Sequence, residues 1–372
     1  MSATASVDHT TTLTVDWPLH SCDDHMDLPS IPPDLWTTRM RERDPDRVPH
    51  VETVDGRSVW VCDGAILGQS GVTGPEMTCF ARGGVEQQDG FRASSPQLRL
   101  QDMDRDGIRS SVIYGPSVMG LRIADDELQA EAYRCWNDWA AEFNQVDPDR
   151  LCVLARLPSR RPEDATAEVE RVAALGHRGV VLDPVEALVG APEWDRFWAA
   201  AEATGLPVSY HLGGGANRAV YESGTWREPH FATVMPMQLD EAVSETVFAG
   251  VLERHPGVRL VLAEAGLGWL PYLINRMDHE WVKHSDIAGR LSVAPSELMR
   301  RQVWVTFEEE HHADVFIDMI GADRVMWACD YPHPDSTWPD SRGAIARDMA
   351  TMARDDVRRV TSDNCRALYG FA

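Results

Sequence analysis

The sequence predicts an α/β fold, a closed (β/α)8 TIM barrel carrying a long insertion after its first strand. Three observations predict it. From Asp106 onward, short apolar or β-branched runs alternate with amphipathic helical stretches. With the run at Leu19–Met26 the strand-like segments number eight, the count that closes a parallel barrel. Four of these runs end in possible metal ligands: Ser21-Cys22-Asp23-Asp24-His25, Pro207-Val208-Ser209-Tyr210-His211, Val261-Leu262-Ala263-Glu264 and Arg324-Val325-Met326-Trp327-Ala328-Cys329-Asp330. The C-terminal ends of barrel strands are where this architecture keeps its chemistry.

In chain order, residues 1–15 are rich in Ser and Thr and are expected to form a disordered tail, leaving 16–372 as one domain. The first strand is expected over Leu19–Met26. A stretch from about 27 to 103 follows, with many Pro, Gly and Arg and a Trp-Val-Cys segment at Trp60. It reads as irregular, and an irregular stretch of that length is expected to act as a lid on the barrel mouth or as a dimer arm. Strand two is expected over Ile108–Tyr114 with helix Asp125–Val146, strand three over Leu151–Leu157 with helix Pro162–Leu175, and strand four over Arg178–Leu182 with helix Trp194–Thr204. Strand five covers Leu206–His211 and leads through Gly213-Gly214-Gly215 and a second long loop to a helix over Leu239–Arg254. Strand six is expected over Val258–Glu264 with helix Leu270–His284, strand seven over Val303–Phe307 with helix Asp314–Ile320, and strand eight over Val325–Asp330 with helices over Ser341–Arg354 and near Ser362–Tyr369. An open doubly wound sheet is the competing arrangement, but the glycine run lacks the Gly-x-Gly-x-x-Gly spacing of a dinucleotide site.

Composition narrows the partners. Of 372 residues 43% are hydrophobic and 13 are Trp, enough apolar area for a large core. The net charge of −24 argues against nucleic acid or an anionic membrane, which would repel such a surface, and points to a small-molecule substrate. No apolar run approaches the roughly 18 residues of a membrane span, so a cytoplasmic location is expected. Seven cysteines with no Cys-x-x-Cys pair read as reduced thiols. Cys22 and Cys329 each precede a proposed ligand, but strand alternation is expected to turn them into packing.

Asp23-x-His25 places two side chains on one face of a strand, and barrel closure brings Asp330 beside them. With His211 they make a mixed His and carboxylate set for one divalent ion, zinc first, with Mn, Co or Fe as alternatives. Each residue has a plainer reading. The histidines could be satisfied core residues, Asp23 could cap a turn with Asp24 competing for its role, and Asp330 could begin the Tyr331-Pro332-His333 turn. Glu264, followed by Ala265-Gly266-Leu267-Gly268-Trp269, could be an acid or base, a ligand, or a carboxylate binding loop amides. Catalytic roles are expected for Asp330, Glu264 and His333, and substrate contacts for Trp36, Trp269 and Glu308. Within Glu308-Glu309-Glu310, otherwise a solvated surface run, strand parity turns Glu308 inward. His311 and His312 read as helix-start residues.

These residues resemble the amidohydrolase-related family of metal-dependent (β/α)8 barrels, in the branch that includes aminocarboxymuconate semialdehyde and γ-resorcylate decarboxylases. Its carriers are Asp23-x-His25 with Pro29 and Trp36, the Asn144–Leu151 segment, Gly176–Val180, His211, Glu264-x-Gly266 with Trp269 and Pro271, and Asp330-Tyr331-Pro332-His333. The resemblance implies one divalent ion on Asp23, His25, His211 and Asp330. Two positions depart from the pattern: Asp23 stands where many relatives have His or Glu, and Glu264 stands where the decarboxylases carry a catalytic His. The expected activity is non-oxidative decarboxylation of an aromatic or enol-type carboxylate. Hydrolysis of an amide, lactone or related bond is the alternative on the same site, and a non-catalytic binding barrel is the alternative of another class. A homodimer is expected, with the insertion as its arm.

Overall fold

In the computed structural model, which describes residues 13–71, 78–85, 91–116, 123–184, 187–212, 224–287 and 290–372, the apolar runs form short parallel strands buried on both faces. That burial is why they read as near-continuous Val, Ile and Leu rather than as an alternation. These strands are β1 (Leu19–His25), β5 (Ile108–Tyr114), β6 (Leu151–Val153), β7 (Ala155–Arg156), β8 (Val180–Val181), β9 (Val208–His211), β10 (Leu260–Ala263), β11 (Val303–Phe307) and β12 (Val325–Trp327), while β2 (His50–Val54), β3 (Arg57–Cys62) and β4 (Ala65–Gln69) belong to the insertion. The expected third strand is β6 and β7, interrupted at Leu154. β6 pairs with β5, which pairs with β1, while β7 opens the run β7-β8-β9-β10-β11-β12, and all these neighbours are parallel. Beyond the end of β12 the main chain returns to β1: the Asp330 N–H donates to Asp23 O at 2.9 Å and the His25 N–H to Tyr331 O at 2.7 Å. The fold is the (β/α)8 barrel.

Two cores follow from the alternation along each strand. One fills the barrel with Cys22, Val112, Tyr114, Cys152, Leu154, Val181, Val261, Ala263 and Met326. The larger lies between barrel and helices and takes the opposite parity, such as Ile113, Val153, Leu260 and Leu262. The expected helix over Leu239–Arg254 is two, Asp240–Phe248 and Val251–Arg254, because Gly250 takes the left-handed conformation between them (φ 76°). A helix at Pro295–Gln302, unforeseen in the sequence, precedes β11. Of the tail, Leu13 and Val15 pack against the core. The Gly213-Gly214-Gly215 run lies outside the described residues. No helix among the described residues is long and apolar enough to cross a membrane.

The insertion corrects the expectation of an irregular stretch. β2, β3 and β4 form an antiparallel meander. Its two connections are two-residue turns, Asp55-Gly56 and Asp63-Gly64, with all four residues at positive φ, the pattern of a type I′ hairpin. Trp36 and Trp60 meet edge to face at 5.0 Å, and their indoles donate to Ala132 O and Leu28 O. The segment at 79–85 lies on the loop after β12: the Cys79 N–H donates to Pro332 O at 2.8 Å, Arg82 binds Ser336 O, and Phe80 packs on Tyr331. Buried Arg99 ties the two together, its Nη1 donating to His25 O at 3.0 Å and Ala93 O at 3.1 Å.

Candidate metal centre

Strand β1 carries the first side chains of the site. Its pairing with β5 shifts register between Ser21 and Asp24, so Cys22 and Asp23 both face the barrel interior. Cys22 packs below, with Sγ 3.4 Å from Met326 Sδ, and Asp23 stands above it. From Asp23 the alternation resumes through His25 to Asp27. Asp24 takes the other face, where Ser21 Oγ donates to it at 2.8 Å, the Tyr331 N–H at 3.1 Å and Ser111 Oγ also donates.

At the cage itself, His25 Nε2 lies 2.9 Å from Asp330 Oδ1, 3.5 Å from Asp23 Oδ1 and 3.5 Å from Glu264 Oε2. His211 Nε2, from the end of β9, lies 3.4 Å from Asp23 Oδ1 and 3.5 Å from Glu264 Oε2. Glu264 follows β10 directly, Asp330 lies three residues beyond the end of β12, and both hold left-handed backbone, φ 51° and φ 63°. Such conformations cost a non-glycine residue about 1–3 kcal/mol and gather where structure is spent on function. The turn at Glu264 is fixed by its N–H donating to Thr306 Oγ1 at 2.7 Å, and that hydroxyl donates on to Asp23 Oδ2 at 3.0 Å. Glu308 offers a carboxylate oxygen within 4.8 Å of Glu264 and Asp330. His333 stacks on His25 at 3.9 Å with both ring nitrogens engaged, Nδ1 with Asp330 Oδ2 at 2.8 Å and Nε2 with Asp27 Oδ2 at 2.9 Å.

The electrostatics favour positive charge at the centre. Burial and the neighbouring His333 push His25 toward neutrality, but Asp330 and Asp27 outweigh them and hold it up at about 9. Burial pushes Asp330 up, yet His333 and His25 together keep it well below the carboxylate range. Glu264 rises to about 7, from burial first and the Asp330 charge second. Glu308 is raised further by burial, Asp330 and Glu264.

A divalent ion fits this set. His25 Nε2 and Asp330 Oδ1, buried and 2.9 Å apart, are not aligned for a hydrogen bond with each other and make none with any described residue. Buried polar atoms are otherwise paired. Ligands about 2.1 Å from one ion stand about 3.0 Å apart at a right angle and about 3.4 Å at the tetrahedral angle. The spacings above bracket those values, and imidazole with carboxylate suits first-row divalent metals.

Of the nine residues singled out in the sequence, the fold brings Asp23, His25, His211, Glu264, Glu308, Asp330 and His333 together. Trp269, half-buried, ends the Glu264 loop with its indole donating to Ala265 O at 2.6 Å. Trp36 is not in the cluster; it is buried between the insertion and the helix Asp126–Asn144. Asp27 was missed, although the two-residue spacing that singles out Asp23 and His25 continues to it. Thr306 was also missed, since nothing sets its hydroxyl apart before the fold places it between Asp23 and the Glu264 amide.

Comparison with known proteins gives the family. The family model described as amidohydrolase matches residues 26–371. The chain belongs to the amidohydrolase family. Among curated amidohydrolase relatives, the γ-resorcylate decarboxylase of Rhizobium sp. (strain MTP-10005) is 26% identical over 291 residues, 70% of this chain and 85% of that protein. Among solved structures, an amidohydrolase from Mycobacterium avium subsp. paratuberculosis K-10 superposes with a TM-score of 0.76 at 21% identity, covering 96% of this chain and all of the other. A dihydroxybenzoic acid decarboxylase from Polaromonas sp. JS666, solved with bound manganese, superposes with a TM-score of 0.62 at 21% identity, over 80% of this chain and 94% of its own. These two likenesses concern the fold of the amidohydrolase barrel.

Proposed function

We propose that this amidohydrolase is a metal-dependent carboxy-lyase that removes carbon dioxide, without oxidation, from an aromatic or enol-type carboxylate. The observation that carries the reading is a His and carboxylate cage whose His25 Nε2 and Asp330 Oδ1 have no hydrogen-bond partner among the described residues, in a chain that resembles γ-resorcylate decarboxylase over 70% of its length. Asp23, His25, His211 and Asp330 would hold the ion. Zinc and manganese are the leading candidates, manganese because a structural neighbour was solved with it. When bound, the ion supplies positive charge against the substrate's carboxylate and an adjacent oxygen.

The protein's own groups divide the remaining work. In the reaction the bond between ring carbon and carboxylate breaks, carbon dioxide leaves, the electron pair stays on the carbon, and that carbon takes up a proton. We assign that delivery to Glu264. Its side chain is 25% exposed where Asp330 is 1% and Asp23 0% exposed, so of these carboxylates it is the one that reaches both the cage and solvent, from which it recovers its proton. Asp330 is held as an acceptor by His333, which also ties it to Asp27. We assign substrate contact to Glu308, beside Glu264, and to the half-exposed Trp269. Trp36 acts through the insertion it anchors, whose packing on the loop after β12 supports the lid reading. The seven free thiols support a reducing, cytoplasmic setting.

The test is a panel of hydroxybenzoates incubated with enzyme loaded with Mn2+ or Zn2+, with carbon dioxide release as the readout. Release from at least one ortho-hydroxylated acid is expected. No release from any acid, with turnover of esters or lactones instead, would replace the carboxy-lyase by a hydrolase on the same cage.

A further inference from the structure

The loop that carries Glu264 is tied at one end to β11 and at the other to the segment after it, and only the first tie, Thr306, touches the cage. The second is Glu310, the last residue of the acidic run after β11. Its Oε2 accepts from the Leu267 N–H at 2.6 Å and its Oε1 from the Gly268 N–H at 2.7 Å. One carboxylate therefore clamps two successive amides, three and four residues beyond Glu264.

The loop is shaped for that clamp. A side chain at Gly268 would put its Cβ 2.9 Å from Glu310 Oε1, and one at Gly266, which sits at φ 62°, would put it 3.4 Å from Oε2. Glycine at both positions is what lets the carboxylate reach the amides. Between the two ties lies Glu264, held in left-handed backbone at φ 51° with Oε2 3.5 Å from both His25 Nε2 and His211 Nε2. A non-glycine residue keeps such a conformation when its surroundings over-determine it, which here means a tie on each side.

We infer that Glu310 is a positioning residue that sets the Glu264 carboxylate against His25 and His211 by clamping the Leu267 and Gly268 amides. This rests on the reading of the cage as a metal site. It gives the acidic run three separate roles: Glu308 turned inward, Glu309 exposed, and Glu310 turned back onto the neighbouring loop.

The test is a double-mutant cycle read as Mn2+ affinity by calorimetry, with thermal melting to confirm that each variant is folded. Glu264 is not one of the four proposed ligands, but its carboxylate lies 3.5 Å from the Nε2 of both His25 and His211. Outer groups beside metal ligands typically change affinity by about 10- to 100-fold, so Glu264→Gln is expected to weaken Mn2+ binding at least about tenfold and Glu310→Ala about tenfold. Added to Glu264→Gln, Glu310→Ala should then cost less than about twofold more, because residues acting through one another are not additive. Should Glu310→Ala fail to fold, Glu310→Gln keeps an acceptor for one amide and is expected to fall between wild type and Glu264→Gln. Gly268→Ala, which displaces the carboxylate, is expected to weaken Mn2+ in the same direction and to add nothing in the Glu264→Gln background. An unchanged affinity in Glu310→Ala, or the same tenfold loss in both backgrounds, overturns the inference. Failure of the carboxy-lyase reading is seen separately, as Mn2+-loaded wild type that releases no carbon dioxide.

Discussion

Two sets of buried carboxylates flank the end of β1, and they are satisfied in opposite ways. Behind the strand, Asp24 takes hydrogen bonds from Ser21, Ser111 and the Tyr331 amide; Asp102 takes a bidentate pair from Arg92 at 2.6 and 2.8 Å and a third bond from Tyr331 Oη at 2.6 Å; Asp106 takes the Ser341 amide at 2.9 Å and hydroxyl at 2.5 Å. In front, Asp330 Oδ1, Asp27 Oδ1 and both nitrogens of His25 have no hydrogen-bond partner among the described residues. Burial alone does not separate them, since Asp23, Asp24 and Asp330 are all within 2% of complete burial. What separates them is whether the fold completes their bonding or leaves it for something else.

The contrast breaks most visibly at the cage. His211→Ala, analysed for bound metal in purified protein, is expected to lose the roughly one ion per chain held by wild type, and kcat/KM should fall about a thousandfold, some 4 kcal/mol of transition-state stabilisation. Its melting temperature without added metal should change little. A variant that retained its full metal content would place the ion elsewhere and dissolve the distinction between front and back.

The barrel and most of the cage were legible in the sequence for one reason. Parallel strands buried on both faces leave uninterrupted apolar runs, and a charged residue at the end of such a run is conspicuous, as with Asp330 after Trp327-Ala328-Cys329. Strand parity carried from Trp304 through Thr306 predicts the inward turn of Glu308, and Glu308 lies beside Glu264 and Asp330. The insertion was not legible as a whole because its strands are short and half-exposed, so their alternation is weak. Asp55-Gly56 and Asp63-Gly64, two of its three Asp-Gly pairs, were nevertheless strong local hairpin signals. The register shift in β1 was invisible in a different sense: parity alone would turn Cys22 away from the side that Asp23 faces, whereas both face inward. Glu310 could not be found in sequence because its partners are backbone amides of another loop, which leave no residue-type signature.

A smaller effect is expected behind the strand. Asp24 balances Arg99, fully buried, with Nη2 3.8 Å from Asp24 Oδ2. Asp24→Asn keeps the shape but leaves the guanidinium charge without that counterion, at a cost of about 3 kcal/mol. Urea unfolding should show the loss, while the folded variant binds Mn2+ as wild type does. Weakened Mn2+ affinity with unaltered stability would move Asp24 to the front set.

The smallest effect concerns the two histidines of β1, whose surroundings repeat the contrast. His25, among carboxylates, is held up at about 9, whereas His20, five residues earlier, falls to about 4. Burial is the main cause, and Arg366 and Arg109 add to it against a weaker pull from Asp363; Ser110 Oγ lies 2.6 Å from its Nδ1 and the Phe371 ring lies alongside. The folded protein therefore prefers His20 neutral, and the unfolded chain takes up a proton first, at about 6.5. The resulting stability is complete above pH 6.5 and is lost as pH falls through 4, amounting to about 2–3 kcal/mol over that window. Asp24 and Asp106, both raised to about 6 by burial, shift stability the opposite way over part of the same range. The quantity to read is therefore the difference between His20→Asn and wild type, from urea unfolding at pH 7 and pH 4.5. The variant should lose less stability on acidification than wild type, and equal losses would mean that His20 takes up its proton in the fold as readily as in the unfolded chain.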